Sequence, residues 1–252
     1  GGGTEATAKL WDTIFKACRV DADDPVGAWK AHIANLKHRS DYLNAKAYDK
    51  LHYWGGGTDL TLGLPKGHIW KSGQSVAQSG VTFVANLPTE EVFTMGDRNR
   101  ADGVVQSSKP LNYGGTVIDE FRLRFEGGEV VELKAAKGED TLRRLVETDP
   151  GSSRLGEVAL VPHRSPISES GLLFFNTLFD ENAASHLALG RAYRFNLEGG
   201  KEMTTDDFVK AGGNESLVHV DFMIGGPSLN IDGMDSDGNR ETLMRDGEWA
   251  FE

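Results

Sequence analysis

The sequence predicts an α+β fold: a strand-rich single domain whose mixed or antiparallel sheet is flanked by helices. Two observations predict it. Apolar residues recur at helical spacing through the N-terminal part, and from Leu51 onward the period shifts to alternation broken by glycine-rich turns. No repeat, low-complexity tract or internal linker divides the chain, and 252 residues can bury a sizeable core.

The elements follow in order. Gly1-Gly2-Gly3 reads as a linker or cloning scar, leaving residues 4–252 as the domain. Residues 4–19 carry Leu10, Trp11, Ile14, Phe15 and Cys18 at helical spacing. A second helix is expected at Asp24-Pro25, a cap followed by proline at the first helical position, with Trp29, Ile33, Leu36 and Leu43 along it. Thr58-Asp59-Leu60-Thr61-Leu62 is a half-buried strand after a triple-glycine turn. Strands are also expected over residues 81–85, 103–107, 116–125 and 129–135, the last two joined as a hairpin through Glu126-Gly127-Gly128. Residues 139–148 read as a helix with Leu142, Leu145 and Val146 inward, 155–162 as a buried strand, and 171–189 as partly helical. A short helical turn at 206–210 precedes the apolar run 217–224, and the C-terminal stretch is hairpin-like with Asp-Gly turns.

Composition narrows the function classes. At 38% hydrophobic and 26% charged residues the chain is an ordinary globular protein. A formal charge of -11 argues against nucleic acid, whose phosphates need a basic surface. Cys18 is the only cysteine, so no internal disulfide forms, and its place on the apolar side of a helical pattern makes it a small core residue. No apolar run reaches membrane-span length and no signal-peptide pattern opens the chain, so cytoplasm is the default and no membrane partner is expected.

The chemistry is concentrated in a few carboxylates and imidazoles. In Leu217-Val218-His219-Val220-Asp221-Phe222-Met223-Ile224, strand alternation puts His219 and Asp221 on one face. Glu157 is the only charge in Leu155-Gly156-Glu157-Val158-Ala159-Leu160-Val161-Pro162; it is either paired or metal-bound in the interior, or a strand end emerging into solvent. Glu90 and Glu91 face opposite ways on an extended segment, so at most one enters a shared site, and adjacent glutamates alone usually mark a solvated surface. His186 taken singly reads as a satisfied core or capping histidine, and Tyr193 as a core aromatic with a tethered hydroxyl. Together, two glutamates, two histidines and an aspartate form an N/O ligand set without thiolate, suited to zinc, cobalt or manganese. Five ligands exceed what one catalytic ion with an open position uses, so a two-metal hydrolytic site with a bridging carboxylate is the economical reading.

At this point a resemblance becomes specific. Pro88-Thr89-Glu90-Glu91-Val92-Phe93-Thr94 with Asp97-Arg98, then Gly156-Glu157-Val158-Ala159-Leu160-Val161-Pro162, resemble the thermophilic aminopeptidase family, of aminopeptidase T and aminopeptidase S type. Asn176-Thr177-Leu178-Phe179-Asp180-Glu181-Asn182-Ala183-Ala184-Ser185-His186, Ala188-Leu189-Gly190-Arg191-Ala192-Tyr193 and His219-Val220-Asp221-Phe222-Met223-Ile224-Gly225 also match. The similarity runs from about Leu10 to the C-terminus. It implies metal ligands at Glu91, Glu157, His186, His219 and Asp221 for two divalent metal ions, and a catalytic Tyr193; of these carboxylates Glu157 is the one we expect to bridge. Glu181, about 140° round from His186 if the segment were a regular helix, is expected behind the ligands or at the substrate amine. Arg98 and Lys109 are candidates for holding such carboxylates or the peptide, and surface ion pairs explain them equally well.

The resemblance further implies a hydrolase that removes N-terminal residues from peptides with a free amine through metal-activated water, and it allows a homodimer. Family members carry an N-terminal domain ahead of this region, so the chain is expected to be the C-terminal catalytic portion. The alternative is a metal-binding portion without peptidase activity in the absence of that domain. A two-metal phosphoesterase is disfavoured because no basic, glycine-rich phosphate cradle is present.

Overall fold

Residue 24 begins the best-defined local signal in the chain, and it folds as its chemistry dictates. The Asp24 side chain accepts the Gly27 N–H at 2.9 Å, with Pro25 in the first turn, a cap worth about 1 kcal/mol. The computed structural model describes residues 3–251; Gly1 and Gly2 of the glycine start lie outside the described residues, and Gly3 is the N-cap of the first helix.

Helices α1 (Thr4–Ala17) and α2 (Pro25–Lys46) lead into a hairpin of β1 (Lys50–Gly55) and β2 (Thr58–Gly63). Short strands β3 (Lys71–Ser72), β4 (Gln74–Val76), β5 (Thr82–Val84) and β6 (Val92–Thr94) follow. Next come β7 (Ala101–Gln106), β8 (Leu111–Tyr113), β9 (Thr116–Ile118), β10 (Arg122–Glu126) and β11 (Glu129–Lys134). Helix α3 (Glu139–Val146) precedes β12 (Leu155–Leu160); α4 (Pro166–Glu169) and α5 (Thr177–Glu181) precede β13 (His186–Gly190). After α6 (Thr205–Lys210) come β14 (His219–Met223), β15 (Asn230–Met234), β16 (Arg240–Arg245) and β17 (Glu248–Trp249).

Two antiparallel sheets organise these strands. The larger runs β11-β10-β7-β2-β1-β15-β16-β17, and the smaller runs β14-β13-β12-β6-β3. One apolar cluster joins them: Leu60, Leu62, Leu123 and Ile231 from the larger sheet meet Val158, Leu187, Leu189 and Phe222 from the smaller. Leu36 and Leu43 of α2 and Leu142 and Leu145 of α3 pack into the same core. Burial at roughly 25 cal/mol per Å² makes this shared core the main stabilising contribution. The chain is therefore a single α+β domain, and among the described residues no helix is long and apolar enough to cross a membrane.

Three expectations change. Residues 116–125 are not one strand: Glu120 adopts φ +48 and turns the chain, so β9 pairs with β8 while β10 pairs with β7 and β11. The partly helical stretch 171–189 is helical only over Thr177–Glu181 and becomes a strand at His186, because β12 and β14 hydrogen-bond it on both sides. The apolar stripe of α1 is mostly not covered, with Leu10, Trp11 and Phe15 all exposed, whereas Cys18 is buried as expected.

Candidate metal centre

The smaller sheet separates core from chemistry by strand alternation. Glu157 on β12, Ala188 on β13 and Asp221 on β14 lie directly opposite one another in register, and residues opposite each other share a face. His186 stands two residues from Ala188, and His219 two from Asp221, so all four polar side chains project to the same side. The intervening residues Val158, Leu187, Leu189 and Phe222 go to the core. Ala188 and Ala159, small residues on the site face, leave room above the sheet. Gly190 ends β13 at φ +101, where an added Cβ would stand 2.1 Å from the Val218 carbonyl, so the close approach that seats His219 needs glycine. Glu91 joins from just before β6, whose Phe93 lies opposite Ala159.

The side chains converge closely. His186 Nε2 lies 3.3 Å from Glu91 Oε2 and 3.7 Å from Glu157 Oε1. His219 Nε2 lies 3.7 Å from Glu157 Oε2 and 3.4 Å from Asp221 Oδ1. Two groups of ligand atoms, each within 4.8 Å of one another, result: Glu91–Glu157–His186 and Glu157–His219–Asp221. Glu157 belongs to both.

Orientation shows what such a cluster wants. His186 Nδ1–H donates to the Ala184 carbonyl at 3.1 Å and His219 Nδ1–H to the Arg191 carbonyl at 2.7 Å. Each ring thus turns Nε2 toward carboxylates, the arrangement that orients histidine ligands. His186 Nε2, Glu157 Oε2 and Asp221 Oδ1 are buried with no hydrogen-bond partner among the described residues. Buried acceptors facing one another need a cation between them. The donor set, imidazole nitrogen and carboxylate oxygen, fits a divalent ion of the zinc, cobalt or manganese kind.

The protonation equilibria carry the same signature. Burial pushes the Glu157 carboxyl up to about 7, opposed by His186 and reinforced by Asp221 and Glu91. Burial works against charge on His219, yet Asp221 and Glu157 outweigh it and raise the imidazole to about 9. Burial likewise opposes charge on His186, but Glu157 and Glu91 hold it well above the ordinary imidazole range. On Asp221 burial is overcome by the His219 hydrogen bond and both imidazoles, so its carboxyl stays below the usual range.

A cavity of about 660 Å³ opens onto the cluster, lined in part by Glu91, Glu157, His219, Asp221, Glu181 and Tyr193. Tyr193 stacks on Phe195 at 5.1 Å and lies 4.8 Å from the His219 ring, so it is a half-exposed wall of the cavity and not a core aromatic. Burial, then the nearby carboxylates, pushes its phenol up to about 12. Glu181 ends α5 and reaches the cavity because the helix stops there; the angular offset from His186 expected of a continuous helix does not apply. Burial raises its carboxyl to about 8. Glu90 is also buried, contrary to the solvated reading, since Arg19 and His32 receive it on the other side of the segment.

Arg98 is not among the residues lining the cavity. Its backbone carbonyl accepts from Arg154 Nη1 at 2.7 Å, and its guanidinium faces Arg154, Glu129 and Asp97. Lys109 acts electrostatically on Asp180, behind Glu181. Sequence reasoning missed Phe93 and Phe195 as cavity walls; the former carries the signal of lying two residues after Glu91, on the same face of an extended segment.

A sequence profile of the thermophilic metalloprotease (M29) family matches residues 2–249. The chain belongs to that family. It is 58% identical over 247 residues to aminopeptidase AmpS of Bacillus subtilis, covering 98% of this chain and 60% of the relative. Wild-type AmpT from Thermus thermophilus has a solved structure that superposes with a TM-score of 0.91 at 51% identity, over 98% of this chain and 59% of that one. At 15% identity and a TM-score of 0.57, 2,5-dihydroxypyridine dioxygenase from Pseudomonas putida KT2440 shares the fold alone, over 88% of this chain and 62% of that one. The chain thus spans about 60% of the length of the curated family relatives it matches.

Proposed function

We propose that this chain is the catalytic portion of a metalloaminopeptidase, a hydrolase that removes N-terminal residues from peptides at a site holding two divalent ions. The observation that carries this reading is the divided carboxylate of Glu157, with Oε1 toward His186 and Oε2 toward His219. Glu91 and His186 would hold one ion and His219 and Asp221 the other, with Glu157 shared between them. Zinc, cobalt or manganese suits these donors. Bound there, the ions supply Lewis acidity, which polarises the scissile carbonyl and makes water a nucleophile near neutral pH.

The protein's own groups do the rest. Tyr193 keeps its proton throughout the neutral range, its phenol pushed up to about 12, so it serves as a hydrogen-bond donor and not as a base. Aimed at the oxyanion of the tetrahedral intermediate, such a donor contributes on the order of 3 kcal/mol. Glu181, lining the cavity beside the cluster, accepts a hydrogen bond from the substrate's terminal amine, whose positive charge would draw the raised carboxyl toward its ionised form, and so restricts cleavage to the first peptide bond. Phe195 and Phe93 form an apolar wall that keeps bulk water from the reacting carbonyl. Support for a cytoplasmic setting comes from the single, buried Cys18, which needs no oxidising compartment.

The test is hydrolysis of a leucyl chromogenic amide by chelator-stripped protein, with cobalt or zinc titrated back and an N-acetylated substrate alongside. Turnover that returns with metal, for the free amine only, is the expected result. Metal uptake with no turnover of either substrate would mean that the site binds ions and the chain is not a peptidase by itself.

A further inference from the structure

The cavity over the candidate metal centre carries both signs of charge. Its carboxylates belong to the ligand cluster and Glu181, and its lining also includes the ammonium groups of Lys71 and Lys201. Strand register places Lys71. It lies opposite Phe93, Phe93 lies opposite Ala159, and Ala159 lies opposite His186, so Lys71 shares the ligand face of the smaller sheet. Its strand β3 is the far edge of that sheet, two strands from β12 and three from β13. Strand and residue spacings then set its Cα roughly 12–14 Å from those of Glu157 and His186.

A run of rings spans the gap. His219 is 4.8 Å from Tyr193, Tyr193 is 5.1 Å from Phe195, and Phe195 is 6.2 Å from Phe93, the ladder partner of Lys71. Lys201 enters the same lining from the loop that follows Phe195. The fold makes no use of either ammonium: among the described residues neither lysine forms an ion pair or a side-chain hydrogen bond. Scarcity of partners is not the reason, because the chain has 38 acidic residues against 27 basic ones. An acidic end and a basic end joined by an aromatic wall complement a molecule that carries an amine at one end and a carboxylate at the other.

We infer that Lys71 and Lys201 bind the C-terminal carboxylate of short peptides, so that the site favours substrates of three or four residues with both ends free. This rests on the aminopeptidase reading, which sets the amine at Glu181 and the scissile carbonyl over the ligand cluster. An extended chain advances about 3.3–3.6 Å per residue, so the carboxylate of a tri- or tetrapeptide lies about 7–11 Å beyond that carbonyl. A lysine side chain rooted on β3 and turned into the cavity meets it there. The end of a dipeptide falls short of the lysines, and that of a hexapeptide runs past them.

The experiment measures kcat/KM of the metal-loaded protein on leucyl-glycyl-glycine and on its C-terminal amide, and on the matching acid and amide of a leucyl hexapeptide. The proteins compared are the parent, the Lys71→Ala, Lys201→Ala double variant, and the Lys71→Arg, Lys201→Arg double variant. The readout is the acid-over-amide ratio within each protein, which cancels any change in folding or metal content because both substrates feel it alike. With each exposed ion pair contributing up to about fivefold, the parent ratio should be about tenfold for the tripeptide and within about twofold of parity for the hexapeptide. It should fall to near parity in the alanine variant, survive in the arginine variant, and shrink in the parent as salt is added. A parent tripeptide ratio near parity overturns the assignment, as does a ratio that persists in the alanine variant or is as large for the hexapeptide. Absence of turnover on every free-amine substrate defeats the aminopeptidase reading itself, and this inference falls with it.

Discussion

Arg19 and Glu90 form a two-pronged ion pair: Nη2 donates to Oε2 at 2.8 Å, and Nη1 pairs with Oε1. Trp29 lies 5.6 Å from the same guanidinium, and Asn182 Oδ1 accepts the Glu90 N–H at 2.7 Å. Glu90 immediately precedes Glu91, and neighbouring side chains on an extended segment point to opposite sides. The turn between α1 and α2 therefore grips one side of the segment whose other side delivers Glu91, a candidate metal ligand.

Removing that grip leaves the buried Glu90 charge with only the His32 imidazole, 3.5 Å away, beside it. Arg19→Ala should destabilise the fold by about 3–5 kcal/mol, while Arg19→Met with Glu90→Leu should recover most of the loss. Urea unfolding of the three proteins measures both; a loss under about 1 kcal/mol for the single change would mean that water reaches Glu90.

Glu157 should be the most damaging ligand to change. Metal analysis after dialysis is expected to give about two ions per chain in the parent protein and less than one in Glu157→Gln, since one carboxylate serves both groups. Glu91→Gln and Asp221→Asn should each weaken one group more than the other. Equal losses for all three would argue for a single ion.

Tyr193→Phe separates binding from catalysis. Its ring packing against Phe195 and His219 survives the change, so metal content and KM should hold while kcat falls about 10²-fold. An unaltered kcat would remove the phenol from the reaction.

Acid stability turns on Glu241. The hydrogen bond from Lys46, then those from Tyr42 and Tyr48, lower its carboxyl from 4.5 to about 2. A depressed folded-state pKa contributes stability that is complete above the unfolded value and is lost as pH falls through the folded one. The thermal midpoint should therefore drop between about pH 5 and pH 2, and Glu241→Gln should start lower and descend less steeply across that window. Parallel curves would show that the contact contributes nothing.

Much of the site was readable because alternation is a local property. His219 and Asp221 had to share a face once their run was a strand, and Glu157 stood as the lone charge in an apolar one. The Asp24-Pro25 start of α2 was readable for the same reason. What failed depended on distant partners. Alanine and leucine around His186 favour helix in isolation, yet the ladders from β12 and β14 make that segment a strand. Glu90 looked solvated because its cation stands 71 positions away. Arg98 belongs to a motif beside Glu91 in the chain, but its backbone turns toward Gly212 and Arg154.

The division of the smaller sheet into an apolar face and a ligand face also acts as quality control. Were β14 to pair one residue out of step, His219 and Asp221 would be driven into hydrocarbon and Phe222 out into water. An error that disarms the site would thus also unfold the molecule. Defective copies would expose themselves to proteolysis, and those that persist would be those with the His219–Asp221 face intact.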